Sequence, residues 1–167
     1  IDLDKYQINR IRDLLKHRGP DYSNYLEYEC KTYLIHTRLS IQDLSTKGNQ
    51  PMVDKKNGIT IIYNGEIYNH LDLREEYLKK FNLSFNSSSD TETLLNLYLY
   101  YKYDFLSKLK GIFSFCIYDS RDQSIFVARD QFGIKPLYYF EKNNQIIFSS
   151  EIKPIIFSVK KYLNFNY

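Results

Sequence analysis

Three peptides hold polar and charged residues that could be offered to a ligand. Tyr63-Asn64-Gly65-Glu66-Ile67-Tyr68-Asn69 follows the apolar run Ile59-Thr60-Ile61-Ile62, which reads as a buried strand, and precedes a charged periodic segment that reads as a helix. Asn64, Gly65 and Glu66 therefore sit at a strand end, where side-chain amides and backbone N–H groups can be offered to a ligand. An Asn-Gly pair is also an ordinary turn signal, because both residues tolerate positive φ. His36-Thr37-Arg38-Leu39-Ser40-Ile41 ends another strand. The planar fork of Arg38 suits a carboxylate, although a lone Arg is commonly solvated and His36 alone more often packs as a hydrogen-bonded histidine. Ser89-Asp90-Thr91-Glu92 opens a helix. Ser89 or Asp90 can cap it, or the Asp90 carboxylate can face a cationic group.

The two cysteines offer less. Cys30 and Cys116 are far apart and form no CxxC pair, which argues against a disulfide framework or a metal site. Cys116 lies inside Ile112-Phe113-Ser114-Phe115-Cys116-Ile117-Tyr118 and reads as a small buried side chain. Cys30 is expected at the start of a strand. Nothing marks either as a nucleophile.

The elements that must carry these residues alternate in blocks. Residues 3–16 read as a helix capped by Asp4, with Ile8, Ile11, Leu14 and Leu15 at helical spacing. Gly19-Pro20 breaks it, flanked by Arg18 and Asp21 as a surface ion pair. Strands are expected at 32–37 and 59–63, separated by a loop over 42–58. A helix at 70–80 buries Leu71, Tyr77 and Leu78, and Glu75–Lys79 and Glu76–Lys80 are spaced to support it. A second helix runs over 91–103. After Gly111 the period becomes two, giving strands at 112–118, 124–128, 137–141 and 145–149. Between these pairs Arg129 and Asp130 read as a structural ion pair beside a Gly-Pro turn. Helices and strands in blocks imply an α+β fold with antiparallel sheets and helices layered on their faces.

The chain has 167 residues, enough for one domain with one core. It is 43% hydrophobic and 26% charged, a globular rather than a disordered balance. No apolar run is long enough for a membrane span, and Ile1-Asp2-Leu3-Asp4-Lys5 is no signal peptide. A net charge of +3, scattered along the chain, does not argue for nucleic acid despite 17 tyrosines. The expectation is a cytoplasmic protein with neither membrane nor nucleic acid as partner.

Taken in order, the peptides resemble one family. Beside the three above stand His17-Arg18-Gly19-Pro20-Asp21, Asn49-Gln50-Pro51-Met52, Ala128-Arg129-Asp130, Gly133-Ile134-Lys135-Pro136-Leu137-Tyr138-Tyr139 and Phe148-Ser149-Ser150-Glu151-Ile152-Lys153. The ordered set is similar to the glutaminase domain of glutamine-hydrolysing asparagine synthetases, class II glutamine amidotransferases. The resemblance implies an N-terminal-nucleophile (Ntn) hydrolase fold, a four-layer αββα sandwich with antiparallel sheets. It implies that an N-terminal cysteine attacks the glutamine side-chain amide, aided by its own α-amine, and releases ammonia and then glutamate. By the same resemblance the Asn64 amide and the Gly65 N–H stabilise the oxyanion. Arg38 pairs with the α-carboxylate, with backbone groups around Leu39, Ile41 and Gln42 nearby, and Glu66 and Asp90 hold the α-ammonium. Arg18, Asp21, Arg129 and Asp130 brace loops.

The family's N-terminal cysteine has no match here, and neither Cys30 nor Cys116 carries a free α-amine. The resemblance thus implies a fragment: residues 1–155 as the amidotransferase domain without its first strand and nucleophile, and 156–167 as the start of a connection to a C-terminal synthetase domain. No cofactor is expected in the present domain; ATP and magnesium are expected in the synthetase domain, which amidates aspartate. Another acceptor such as a surface sugar, or a non-catalytic glutamine-binding domain, are the alternatives. Oligomeric state is open, a homodimer among the options.

Overall fold

The computed structural model describes residues 2–160. The chain forms two compact units, one of Ile1–Leu39 with Pro136–Tyr167, the other of Ser40–Lys135.

In the first unit, helix α1 (Lys5–Leu15) starts at a reciprocal cap. Asp4 Oδ1 accepts from Gln7 N–H at 2.7 Å while Gln7 Oε1 accepts from Asp4 N–H at 2.9 Å. Its buried Ile8 and Ile11 face inward. Strand β1 (Tyr22–Tyr28) pairs antiparallel with β2 (Thr32–Arg38), from Tyr22↔Arg38 to Tyr28↔Thr32. β1 is absent from the sequence expectation. Its residues are nearly all half-buried, so no clean in–out alternation marks it. Cys30 lies in the turn between these strands rather than at a strand start, with φ of 55°. Strands β7 (Tyr138–Lys142) and β8 (Gln145–Ser149) form a second hairpin, and α4 (Ile152–Val159) contacts both of them and α1. α4 runs across residue 155, where the boundary to a connection is expected; 161–167 lie outside the described residues. Arg18 pairs with Glu151 at 3.0 Å, joined by His17 at 3.3 Å, which ties the Gly19-Pro20 turn to the start of α4 rather than to Asp21 alone. Hydrogen bonding from Arg18 holds the Glu151 carboxyl below its usual range.

The second unit is built on a four-stranded antiparallel sheet of order β3 (Met52–Asp54), β4 (Ile59–Ile67), β5 (Gly111–Asp119), β6 (Ser124–Arg129). β3 arises inside the expected loop and is only three residues long. Ile59, Ile61, Ile67 and Ile117 are fully buried against Leu94, Leu97 and Tyr98 of α3 (Asp90–Tyr101), each side chain contributing about 1.5–3 kcal/mol. The expected helix at 70–80 is irregular. α2 (His70–Leu73) widens into a π-helical segment, Arg74–Leu78. Closing i to i+5 puts Leu73 and Leu78 on one buried side, while Leu71, expected inside, is 62% exposed. Glu75–Lys79 pairs at 2.8 Å on the surface and contributes little; Glu76–Lys80 does not form a salt bridge.

Asp119 ends β5 and is 1% exposed. It binds Arg121 at 2.6 Å and Lys102 at 2.9 Å. Hydrogen bonds from Arg121, then Lys102, hold its carboxyl well below the ordinary 3.8. A depressed carboxylate stabilises the fold above its unfolded pKa, and that contribution is lost as pH falls through the folded value. Asp119→Asn is expected to cost about 2 kcal/mol at neutral pH and to flatten the loss of melting temperature below pH 3.8, read by thermal melts across the acid range.

Among the described residues no helix is long and apolar enough to cross a membrane.

Candidate functional site

β4 does not end at Asn64. Its pairing with β5 continues through Asn64↔Ser114, Gly65↔Phe113 and Glu66↔Ile112 to Ile67↔Gly111. Neither Asn64 nor Gly65 has positive φ, so the turn reading of this pair fails. Glycine is required for a different reason. A Cβ on Gly65 would lie 2.3 Å from the Ile112 carbonyl oxygen and 2.7 Å from Phe113 Cα, so β5 backbone fills the place of a side chain.

The register also fixes where Gly65 N–H points. Phe113 N–H donates to Asp130 Oδ2 at 3.3 Å and Phe113 C=O accepts from Asp130 N–H at 2.7 Å, so both face away from β4. Gly65↔Phe113 is thus a non-hydrogen-bonded pair, and Gly65 N–H turns away from β5 toward the other edge of β4. On that edge β3 stops opposite Ile61. Side chains take over beyond it. Tyr63 N–H donates to Gln50 Oε1 at 2.6 Å, and Ile67 N–H donates to Asp90 Oδ2 at 2.9 Å. Gly65 N–H lies between these two capped positions, with no strand of the described residues beside it.

Asp90 is 4% exposed and occupies the first position of α3 after the Ser89 cap, whose hydroxyl accepts from Thr91 N–H at 3.1 Å. Both its contacts fall on one oxygen: Oδ2 takes the Ile67 N–H and the Tyr63 hydroxyl, the latter at 2.7 Å. Burial, then the neighbouring Asp90 charge, pushes the Tyr63 phenol far above its ordinary pKa, so it stays a donor at any working pH. Gln50 spans the same region, donating to Thr91 Oγ1 at 3.4 Å. The start of α3 is held from outside by Arg74. It donates to Thr93 Oγ1, Ser87 O and Ser89 O at 2.7, 3.1 and 2.8 Å, and lies 3.9 Å over the Phe85 ring. His70 sits near these charges with its Nδ1 buried and unbonded; burial lowers its pKa, against the pull of Asp90 and Glu66.

Four expected site residues of the second unit thus share β4 or bind it: Asn64, Gly65 and the exposed Glu66 lie on the strand, and Asp90 is tied to Ile67 two residues on from Gly65. Ile41 and Gln42, in the same unit, are exposed. Arg38 and Leu39 belong to the first unit. Arg38 closes β2 and is 7% exposed, its carbonyl accepting from Asp21 N–H at 3.1 Å; Leu39 is 54% exposed. Arg129 and Asp130 do brace a loop, but through backbone rather than each other. Asp130 accepts from Ile134 and Lys135 N–H at 2.9 and 3.0 Å, and Arg129 donates to the Lys135 and Gly133 carbonyls. Cys116 is buried in β5 with its thiol pushed up to about 12 by desolvation, too weak an acid to attack as thiolate.

The family profile described as glutamine amidotransferase domain matches residues 2–166. The chain belongs to the glutamine amidotransferase family. It is 44% identical to asparagine synthetase 1 (glutamine-hydrolyzing) of Bacillus subtilis over 89% of this amidotransferase chain and 23% of that protein. It is 38% identical to asparagine synthetase 2 (glutamine-hydrolyzing) of Arabidopsis thaliana, over 99% of the chain and 28% of that protein. The amidotransferase chain therefore spans about a quarter of the length of these relatives. Among solved structures, glutamine phosphoribosylpyrophosphate amidotransferase from B. subtilis, complexed with ADP and GMP, matches with a TM-score of 0.63. That match is 24% identical and covers 75% of this chain and 29% of the other. The fold is accordingly the α+β, antiparallel-sheet fold of the Ntn amidotransferases.

The sequence carries no local sign of the roles of Gln50, Tyr63 and Arg74. Gln50 and Tyr63 stand inside quoted peptides, but what they bind lies 13 and 27 residues away. No local pattern encodes such pairings.

Proposed function

We propose that this chain is the glutamine-hydrolysing part of an asparagine synthetase. L-Glutamine lies with its side-chain amide over Asn64 and Gly65. Its α-ammonium meets Glu66 and Asp90. A cysteine at a processed N-terminus attacks the amide carbon through its thiolate. The carbon–sulfur bond forms, and negative charge collects on the former carbonyl oxygen, where the Asn64 amide and Gly65 N–H receive it. The carbon–nitrogen bond then breaks, ammonia leaves with the proton held by the cysteine's α-amine, and water cleaves the thioester to glutamate. Cys30 and Cys116 are unsuited to that attack, so the sulfur is taken to come from elsewhere in the intact protein.

One observation carries this reading: an N–H at Gly65 with no strand of the described residues beside it, directly after Asn64 on β4, with the buried Asp90 carboxylate bound to the same strand at Ile67. A carbonyl oxygen placed there meets two donors while an ammonium meets an anion. The ammonia is proposed to pass to a synthetase domain that binds ATP and magnesium and amidates aspartate. Among the described residues no group of three or more His, Cys, Asp or Glu could hold a metal ion.

The test gives the intact protein glutamine, aspartate, ATP and magnesium. Glutamate and asparagine are expected in equal amounts. Glutamate without asparagine would reassign the acceptor, a surface sugar for example. No glutamate with any acceptor would leave a glutamine-binding domain without chemistry.

A further inference from the structure

We propose that Tyr63 is a positioning residue for glutamine: with Ile67 N–H it engages Oδ2 of Asp90 and leaves Oδ1 alone to meet the ligand's ammonium. This rests on the reading of Asp90 as an ammonium acceptor. The two donors reach Oδ2 from different directions along β4, the hydroxyl at 2.7 Å and the N–H at 2.9 Å, which fixes the carboxylate in its plane. Oδ1 takes no hydrogen bond from the described residues, yet it is not among the polar atoms sealed from solvent without a partner. A carboxylate that is 96% covered, saturated on one oxygen and open on the other, can receive one cation in one direction. Tyr63 is itself located by its N–H bond to Gln50, so the ring leaves the strand at a set place. Glu66, on the same strand and exposed, has no comparable brace. The second anion of the site is therefore adjustable where Asp90 is fixed.

A phenol that keeps its proton suits this task, because an ionised one would repel the carboxylate it holds. Removing the hydroxyl leaves Oδ2 with a single donor and lets the carboxylate rotate. Ground-state binding should suffer more than the bond-breaking step, since the ammonium keeps its charge throughout the reaction.

The experiment measures glutamine hydrolysis by the intact protein for Tyr63→Phe, Asp90→Asn and the double variant. Tyr63→Phe is expected to raise KM for glutamine about tenfold with kcat within about a factor of two, and to have no further effect in the Asp90→Asn background. Equal KM losses in both backgrounds would make Tyr63 a packing residue and overturn the proposal, as would an unchanged KM for Tyr63→Phe. Should Asp90→Asn itself leave KM unaltered, the ammonium reading falls and this proposal with it, whereas additivity alone removes Tyr63 and spares that reading. Tyr63→Met is run alongside, because a flexible thioether fills the ring's space and guards against a folding defect of the first variant; the same KM pattern is expected.

Discussion

Asn64→Ala is expected to slow glutamine hydrolysis by the intact protein at least about 100-fold, with most of the loss in kcat. The side chain is proposed to donate to an oxyanion that exists only once the thiolate has added. Glutamine's neutral carbonyl draws less on the same donor, so binding changes little while the barrier rises. Asn64 stands in the paired part of β4, opposite Ser114, and its backbone is set by the sheet rather than by a loop. Truncation to alanine therefore removes the amide without moving the strand, and the melting temperature should stay near that of the parent. Asn64→Asp is the sharper control. It has nearly the same shape but brings a negative charge to the place where one develops, and it should be slower still. Steady-state rates with glutamine give the first comparison, and ammonia-dependent asparagine formation the second, since that reaction bypasses the site. A glutamine rate for Asn64→Ala within threefold of the parent would remove Asn64 from the oxyanion position.

Much of this was legible because local rules and the fold agree. The Asp4 cap of α1, the helix over 91–103 and the four strands after Gly111 are all marked by period and by cap or turn residues, and they appear within a residue or two of where they are expected. The failures have particular causes. β1 and β3 owe their existence to the partner strand, not to their own pattern. The π-helical widening at Arg74–Leu78 adds a residue per turn, so a 3.6-residue count places Leu71 on the wrong side. The Asn64-Gly65 pair misleads most. Asn-Gly is a turn signal where φ is positive, but here it occupies a strand because the neighbouring backbone comes too close for any Cβ. Which residues are proposed to bind substrate rests on the resemblance of the ordered peptides. What braces those residues, namely Gln50, Tyr63 and Arg74, depends on contacts that no short window contains.

Gly65→Ala separates these two meanings of glycine and should have the largest effect on stability. Were the residue there for conformational freedom, alanine would be strained by its dihedral angles. Gly65 has no positive φ, so that term is absent. The demand is spatial: the added Cβ would stand 2.3 Å from Ile112 O, 2.7 Å from Phe113 Cα and 2.8 Å from the Tyr63 ring. The first two are backbone atoms of β5, the strand at the centre of the sheet, and they cannot turn aside as a flexible side chain does. β4 must lift from β5 over several residues. Overpacking of this kind costs about 3 kcal/mol, which for a chain of this size lowers the melting temperature by about 10 °C. The same displacement carries Gly65 N–H off its line and tilts Tyr63 away from Asp90, so hydrolysis should also fall by about 100-fold in the fraction that remains folded. Asn64→Ala loses rate and keeps stability; Gly65→Ala loses both. Parent-like melting for Gly65→Ala would mean that β4 and β5 lie farther apart here than the Ile112 and Phe113 contacts require, and the derived direction of Gly65 N–H would fall with that spacing.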